Sequence, residues 1–80
     1  MNISNLTFKN QVTITPSDKD VFQQPVFVQV LGTSGNVAVI TEGGQHQIWA
    51  LGRGEIYPVA VNRVLLTGTT ATDITILYND

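Results

Sequence analysis

Hydrophobic and polar residues alternate with a period of two along most of this chain, the spacing of β-strands, whose successive side chains point to opposite faces of a sheet. Residues 11–15 set Val12 and Ile14 against Thr13 and Thr15. Residues 26–31 place Val26, Val28 and Val30 on one face, with Phe27 and Leu31 flanking Gln29 on the other. Residues 37–41 (VAVIT) predict a third strand, and residues 45–51 a fourth with Ile48 and Ala50 opposite Trp49 and Leu51. The longest apolar run covers residues 57–66. Strict alternation there puts Tyr57, Val59, Val61 and Leu65 on one face and Ala60, Val64 and Leu66 on the other, so the strand is expected to be covered on both sides. Ile74, Ile76 and Tyr78 alternate with Thr75 and Leu77 in a last strand. No stretch carries a convincing helical period.

The segments between these runs have turn chemistry. Residues 18–25 form a connection bounded by prolines, with Phe22 as its one apolar anchor, and residues 32–36 (GTSGN) read as the turn after the second strand. Gly43 and Gly44 suit a tight hairpin, since both accept positive φ. Residues 67–73 combine Gly, Asp and threonines whose hydroxyls are expected to bond their own backbone. The prediction is an all-β chain: a small antiparallel β-sandwich or open barrel of about six strands. Residues 1–10 are expected to be an N-terminal arm and residues 11–80 a single β domain.

Size sharpens this picture. A chain of 80 residues buries only about 60% of the surface its unfolded form exposes. With no cysteine and one histidine, it has neither disulfides nor the usual zinc-binding set to reinforce a thin core. Association of identical subunits is the remaining device. Apolar groups on both faces of residues 57–66 point the same way, because a neighbouring subunit can cover the second face. Arg63, Val64, Leu66, Trp49 and Tyr57 are the candidate oligomer or partner contacts, and a charge at Val64 or Leu66 is expected to dissociate the assembly.

Charge excludes several partners. The net charge is −2, and Lys9, Lys19, Arg53 and Arg63 are spread singly, which leaves no basic footprint for nucleic acid. No apolar run reaches the roughly 18 residues of a membrane-spanning helix, and the first residues lack the pattern of a secretory signal. The absence of cysteine fits synthesis in the cytoplasm.

Candidate chemistry is sparse. His46 lies between Gln45 and Gln47 as a surface or rim residue, and none of Ser4, Ser17 and Ser34 sits in a nucleophile turn. Asp18 and Asp20 form a D-x-D pair, but calcium takes six to eight oxygens and the other acids lie in separate turns. The glycines match no phosphate-binding loop. Trp49 and Tyr57 suit either stacking on a sugar or packing in a core or interface. Arg63 stands mid-strand in an apolar run, so its head either reaches the sheet margin or pairs across a subunit boundary. No catalytic, cofactor or metal residues are assigned.

Several ordered blocks resemble a known group of proteins: GTSGNVAV at 32–39, GGQ at 43–45, G-E-x-x-P-V-x-V-x-R-V at 54–64 and T-G-T-T-A-T-x-I at 67–74. Together with Pro16-Ser17-Asp18 they make residues 16–78 similar to small virion proteins of tailed phages and gene transfer agents, above all head-spike base proteins. The resemblance implies a structural virion protein without catalytic residues, made in the host cytoplasm and seated on the capsid surface. The implied partners are further copies of the chain, as a pentamer or trimer, the major capsid protein, and a separate fibre protein. A capsid decoration or cement protein is the neighbouring reading, and a receptor- or glycan-binding module of the virion a third.

Overall fold

The computed structural model describes residues 8–79. Six strands form in the expected places: β1 (Asn10–Thr13), β2 (Val26–Val30), β3 (Gly35–Thr41), β4 (His46–Leu51), β5 (Ile56–Leu65) and β6 (Ile74–Tyr78). No helix occurs among the described residues. All six strands belong to one open sheet in the order β1-β6-β2-β5-β3-β4, and every neighbouring pair is antiparallel.

The alternation in β2 translates directly into burial, with Val26, Val28 and Val30 inside. They join Val37 and Val39 of β3, Trp49 and Leu51 of β4, Val61 and Val64 of β5, and Ile74 and Ile76 of β6 in one core. Val28, Val30, Val37, Val39 and Val61 are all 0% exposed. With no helix to cover it, a single sheet can bury that face only by curling on itself, with help from loop residues such as Ile14 and Phe22 that pack on the core.

β5 departs from strict alternation, and the departure decides its faces. Against β2, Val26 pairs with Val61 but Val28 with Tyr57, so β5 carries extra residues between the two pairs. Against β3, Ile40 pairs with Arg63 and Thr41 with Val61, which leaves Asn62 as an inserted residue. Such bulges shift the side-chain parity of a strand. Val61 and Val64 therefore both enter the core, although strict alternation separates them, while Val59 (41% exposed) and Leu66 (59% exposed) lie outside. The expectation of a β5 covered on both faces is thus corrected: it has one buried face, assembled from two registers.

The connections also differ from a chain of hairpins. β3 and β4 form the expected hairpin, closed by Gly44 at φ 87°. Residues 32–36 are not a hairpin turn, because β5 lies between β2 and β3; nor do β5 and β6 adjoin, because β2 lies between them. Residues 66–73 run beside the first half of β3. There Thr69 bears out the expected local bond, its hydroxyl donating to the Leu65 carbonyl (2.5 Å). Threonine hydroxyls also accept from β3 and the residues before it: Thr69 Oγ1 from the N–H of Ala38 (3.0 Å), Thr70 Oγ1 from that of Asn36 (2.9 Å) and Thr72 Oγ1 from that of Thr33 (2.7 Å). The β1–β2 connection continues the sheet beside the end of β5, with Ser17 N–H donating to the Val64 carbonyl and Phe22 N–H to that of Asn62.

Of the arm expected over residues 1–10, residues 1–7 lie outside the described residues. Phe8 packs on Phe27 with ring centroids 5.4 Å apart, Lys9 N–H donates to Asn79 Oδ1, and Asn10 begins β1.

Candidate assembly surface

The five residues that the sequence nominates for contacts divide between the interior and the surface. Trp49 (7% exposed) and Val64 (3% exposed) belong to the subunit's own core. Tyr57 stacks on Trp49 with centroids 3.5 Å apart and planes 12° from parallel, so each ring occupies a face of the other. Val37 and Val28, their register partners, place both rings on the inner side of the sheet. An open aromatic platform for a sugar is therefore not what these two side chains form. A charge at Val64 would strike the fold itself before any contact between subunits. Arg63 lies opposite Ile40 on the outer side, half-buried, with no ion pair among the described residues. Leu66 is the most exposed of the nominated apolar residues.

The outer side is polar toward β1 and apolar toward β4. Gln11 Nε2 donates to Gln29 Oε1 (3.1 Å), and Gln29 Nε2 donates to the Gly54 carbonyl (3.1 Å). This amide chain reaches from β1 to the β4–β5 turn across β6, whose outer residues Thr75 and Leu77 are buried. At the other end, Ile48 is 54% exposed and Ala50 is exposed, both on β4, a strand that pairs with β3 alone among the described elements. No sequence rule identified β4 as an edge, since edge position depends on the order of strands. The lack of a charge or proline in HQIWAL was the available signal.

The candidate chemistry proves mostly structural. Both oxygens of Asp18 are engaged by Thr67, whose N–H donates at 2.9 Å and whose hydroxyl donates at 2.6 Å. The Thr67 hydroxyl, and after it the Thr67 N–H, hold the Asp18 carboxyl below its ordinary pKa. No group of three acidic or histidine side chains converges as a metal site among the described residues. His46 is exposed on β4. A cleft of about 240 Å³ opens between Val12, Phe22, Val26, Ile76 and Tyr78, where the polar groups are the Gln23 and Gln24 amides and the Tyr78 phenol. It contains no nucleophile paired with a base. Among the described residues no helix is long and apolar enough to cross a membrane.

Against this geometry, a solved structure described as the capsid of a native gene transfer agent (GTA) particle, computed with C5 symmetry, contains a chain with the same fold. The two superpose with a TM-score of 0.76 and share 32% identity over 89% of this chain and 83% of the other. This chain belongs to the same family as that chain of the GTA capsid. The family assignment agrees with the sequence blocks that pointed to gene transfer agents, and the match covers 89% of this chain rather than one motif. No family model matches the chain, and no curated protein does.

Proposed function

We propose that this protein is a structural component of a virion or virus-like particle, attached to the capsid as the oligomeric base of a head spike or fibre. The observation that carries the reading is the shared fold and 32% identity with a protein of a GTA particle capsid. Two structural features support it. Among the described residues no constellation of reactive groups converges, and the most exposed large apolar side chains there, Leu66, Ile48 and Val21, suit contacts with other proteins. The partners in this reading are further copies of the chain, the major capsid protein, and a separate fibre protein on the distal side. A decoration or cement protein shares everything except the fibre. A glycan-binding role has less support, because Trp49 is buried against Tyr57.

Cryo-EM of particles made with and without this chain tests the reading. The expected result is discrete density on the outside of the capsid that disappears with the chain, together with any projection mounted on it. Identical maps with and without the chain would overturn the proposal, and loss of density without loss of a projection would favour decoration over a spike base.

A further inference from the structure

The two edge strands carry main-chain groups that nothing among the described residues engages. On β4, the register with β3 is unbroken from Gly35 opposite Leu51 to Ile40 opposite His46. The N–H of Thr41 donates to the carbonyl of Gln45, which fixes the parity of the ladder. Gln47, Trp49 and Leu51 therefore turn their backbone groups toward β3, while His46, Ile48 and Ala50 turn theirs to the open side. Natural edges are blunted by lysine, proline or a bulge. β4 has none of these, and Ile48 at its centre is 54% exposed. On β1, the N–H of Ile14 donates to the Ile74 carbonyl, so Asn10 and Val12 face β6 while Gln11 and Thr13 face outward. This edge, Asn10–Thr13, is likewise free of charge and proline.

We propose that β4 of one subunit pairs with β1 of a second copy, so that the sheet continues from subunit to subunit. The inference rests on the reading of the chain as a repeated particle protein, and topology selects the occupant. Six strands, each antiparallel to its neighbours, make β1 and β4 run in opposite directions. Rotation about an axis near the strand direction then sets the next copy's β1 antiparallel to β4, with Gln11 and Thr13 exchanging bonds with outward groups of His46, Ile48 and Ala50. Neither edge strand brings a charge to the contact. A two-fold pairing of β4 with β4 would leave both β1 edges open and stop at two copies. The head-to-tail contact uses both edges and repeats under a rotation. Five-fold rotation is the symmetry with which the related capsid was computed.

Proline substitution separates the two edges. The N–H groups of Ala50 and Thr13 point away from the sheet, so Ala50→Pro and Thr13→Pro each remove an intersubunit donor and leave the ladders to β3 and β6 intact. Light scattering coupled to size exclusion reads the mass of the full chain, and near-UV circular dichroism of the Trp49–Tyr57 stack reads the fold. The wild type is expected as a closed oligomer, and each variant alone as a folded single subunit. An equimolar mixture of the two is expected to give a dimer, since Ala50→Pro keeps a competent β1 and Thr13→Pro a competent β4. A Thr13→Pro protein that remains dimeric alone would mean β4–β4 pairing and overturn the proposal, as would a folded Ala50→Pro protein with the wild-type mass. Should a variant lose the near-UV signal, amide exchange of the wild-type oligomer decides instead: protection of the Ile48 and Ala50 amides is expected, and free exchange refutes the pairing. Binding to particles is scored separately. A wild-type subunit that binds them as a monomer overturns the edge pairing and leaves the capsid reading standing, whereas an oligomer that does not bind overturns only the latter.

Discussion

Truncating three valines of one strand tests whether β5 is bulged as described. Strict alternation from Tyr57 groups Val59 with Val61 and sets Val64 apart, whereas the bulged register puts Val61 (0% exposed) and Val64 (3%) in the core and Val59 (41%) outside. Valine to alanine removes two methylene-sized groups, about 1.6 kcal/mol at roughly 0.8 kcal/mol each, and the residual cavity raises the cost to about 2–2.5 kcal/mol. A small domain has only about 5–15 kcal/mol in all, and 1 kcal/mol moves its midpoint by roughly 4–8 °C. Val61→Ala and Val64→Ala are therefore each expected to lower Tm by about 10–15 °C. Val59→Ala is expected to stay within about 0.5 kcal/mol of the wild type. Urea and thermal unfolding followed by Trp49 fluorescence give both quantities, at one fixed protein concentration because association adds stability by mass action. If Val64→Ala proved mild while Val59→Ala and Val61→Ala were both costly, the strand would be unbulged and the core description wrong.

Asp18→Asn is expected to destabilise the protein near neutral pH by weakening the clasp on Thr67. The folded pKa of Asp18 lies below its ordinary value of 3.8, so its contribution is fully present above that value and disappears as pH falls through the folded pKa. Acid titration of stability should accordingly show a smaller loss for Asp18→Asn than for the wild type, and parallel curves would refute the assignment. Gly68→Ala should cost more than Gly44→Ala in thermal unfolding. Both glycines have positive φ, but a Cβ at Gly68 also comes within 3.3 Å of Ala38 Cβ, whereas one at Gly44 meets nothing within 4 Å. The expected costs are about 2 and about 1 kcal/mol. Added calcium should leave Tm unchanged, since both Asp18 oxygens are already engaged by Thr67; a calcium-dependent rise that Asp18→Asn abolishes would reverse that view.

Period-two alternation was sufficient to define strand identity, because the side-chain period follows from the backbone alone. That Val26, Val28 and Val30 share one face, and that Ile48 and Ala50 lie opposite Trp49 and Leu51, was legible for that reason; which face is buried was decided by the fold. The paired glycines of residues 43–44 fixed the β3–β4 hairpin by the same local logic, since only the backbone of the turn itself is involved. The GTA-like blocks were legible as well, being a property of residue order. Strand order was not. β5 inserts between β2 and β3, where Val61 meets Val26 of β2 and Thr41 of β3 and Val64 meets Val39 of β3, a long-range arrangement that no turn signal encodes. The bulges around residues 58–62 were invisible for a related reason: a bulge exists only relative to a partner strand, and it reassigned Val64 from a supposed contact to the interior. Trp49 and Tyr57 showed their chemistry in the sequence, but only the curl of the sheet across β3 made them a closed pair. The exposed edges of β1 and β4 likewise belong to tertiary structure, because whether a strand's outward N–H groups meet a neighbour depends on which strands the fold leaves last.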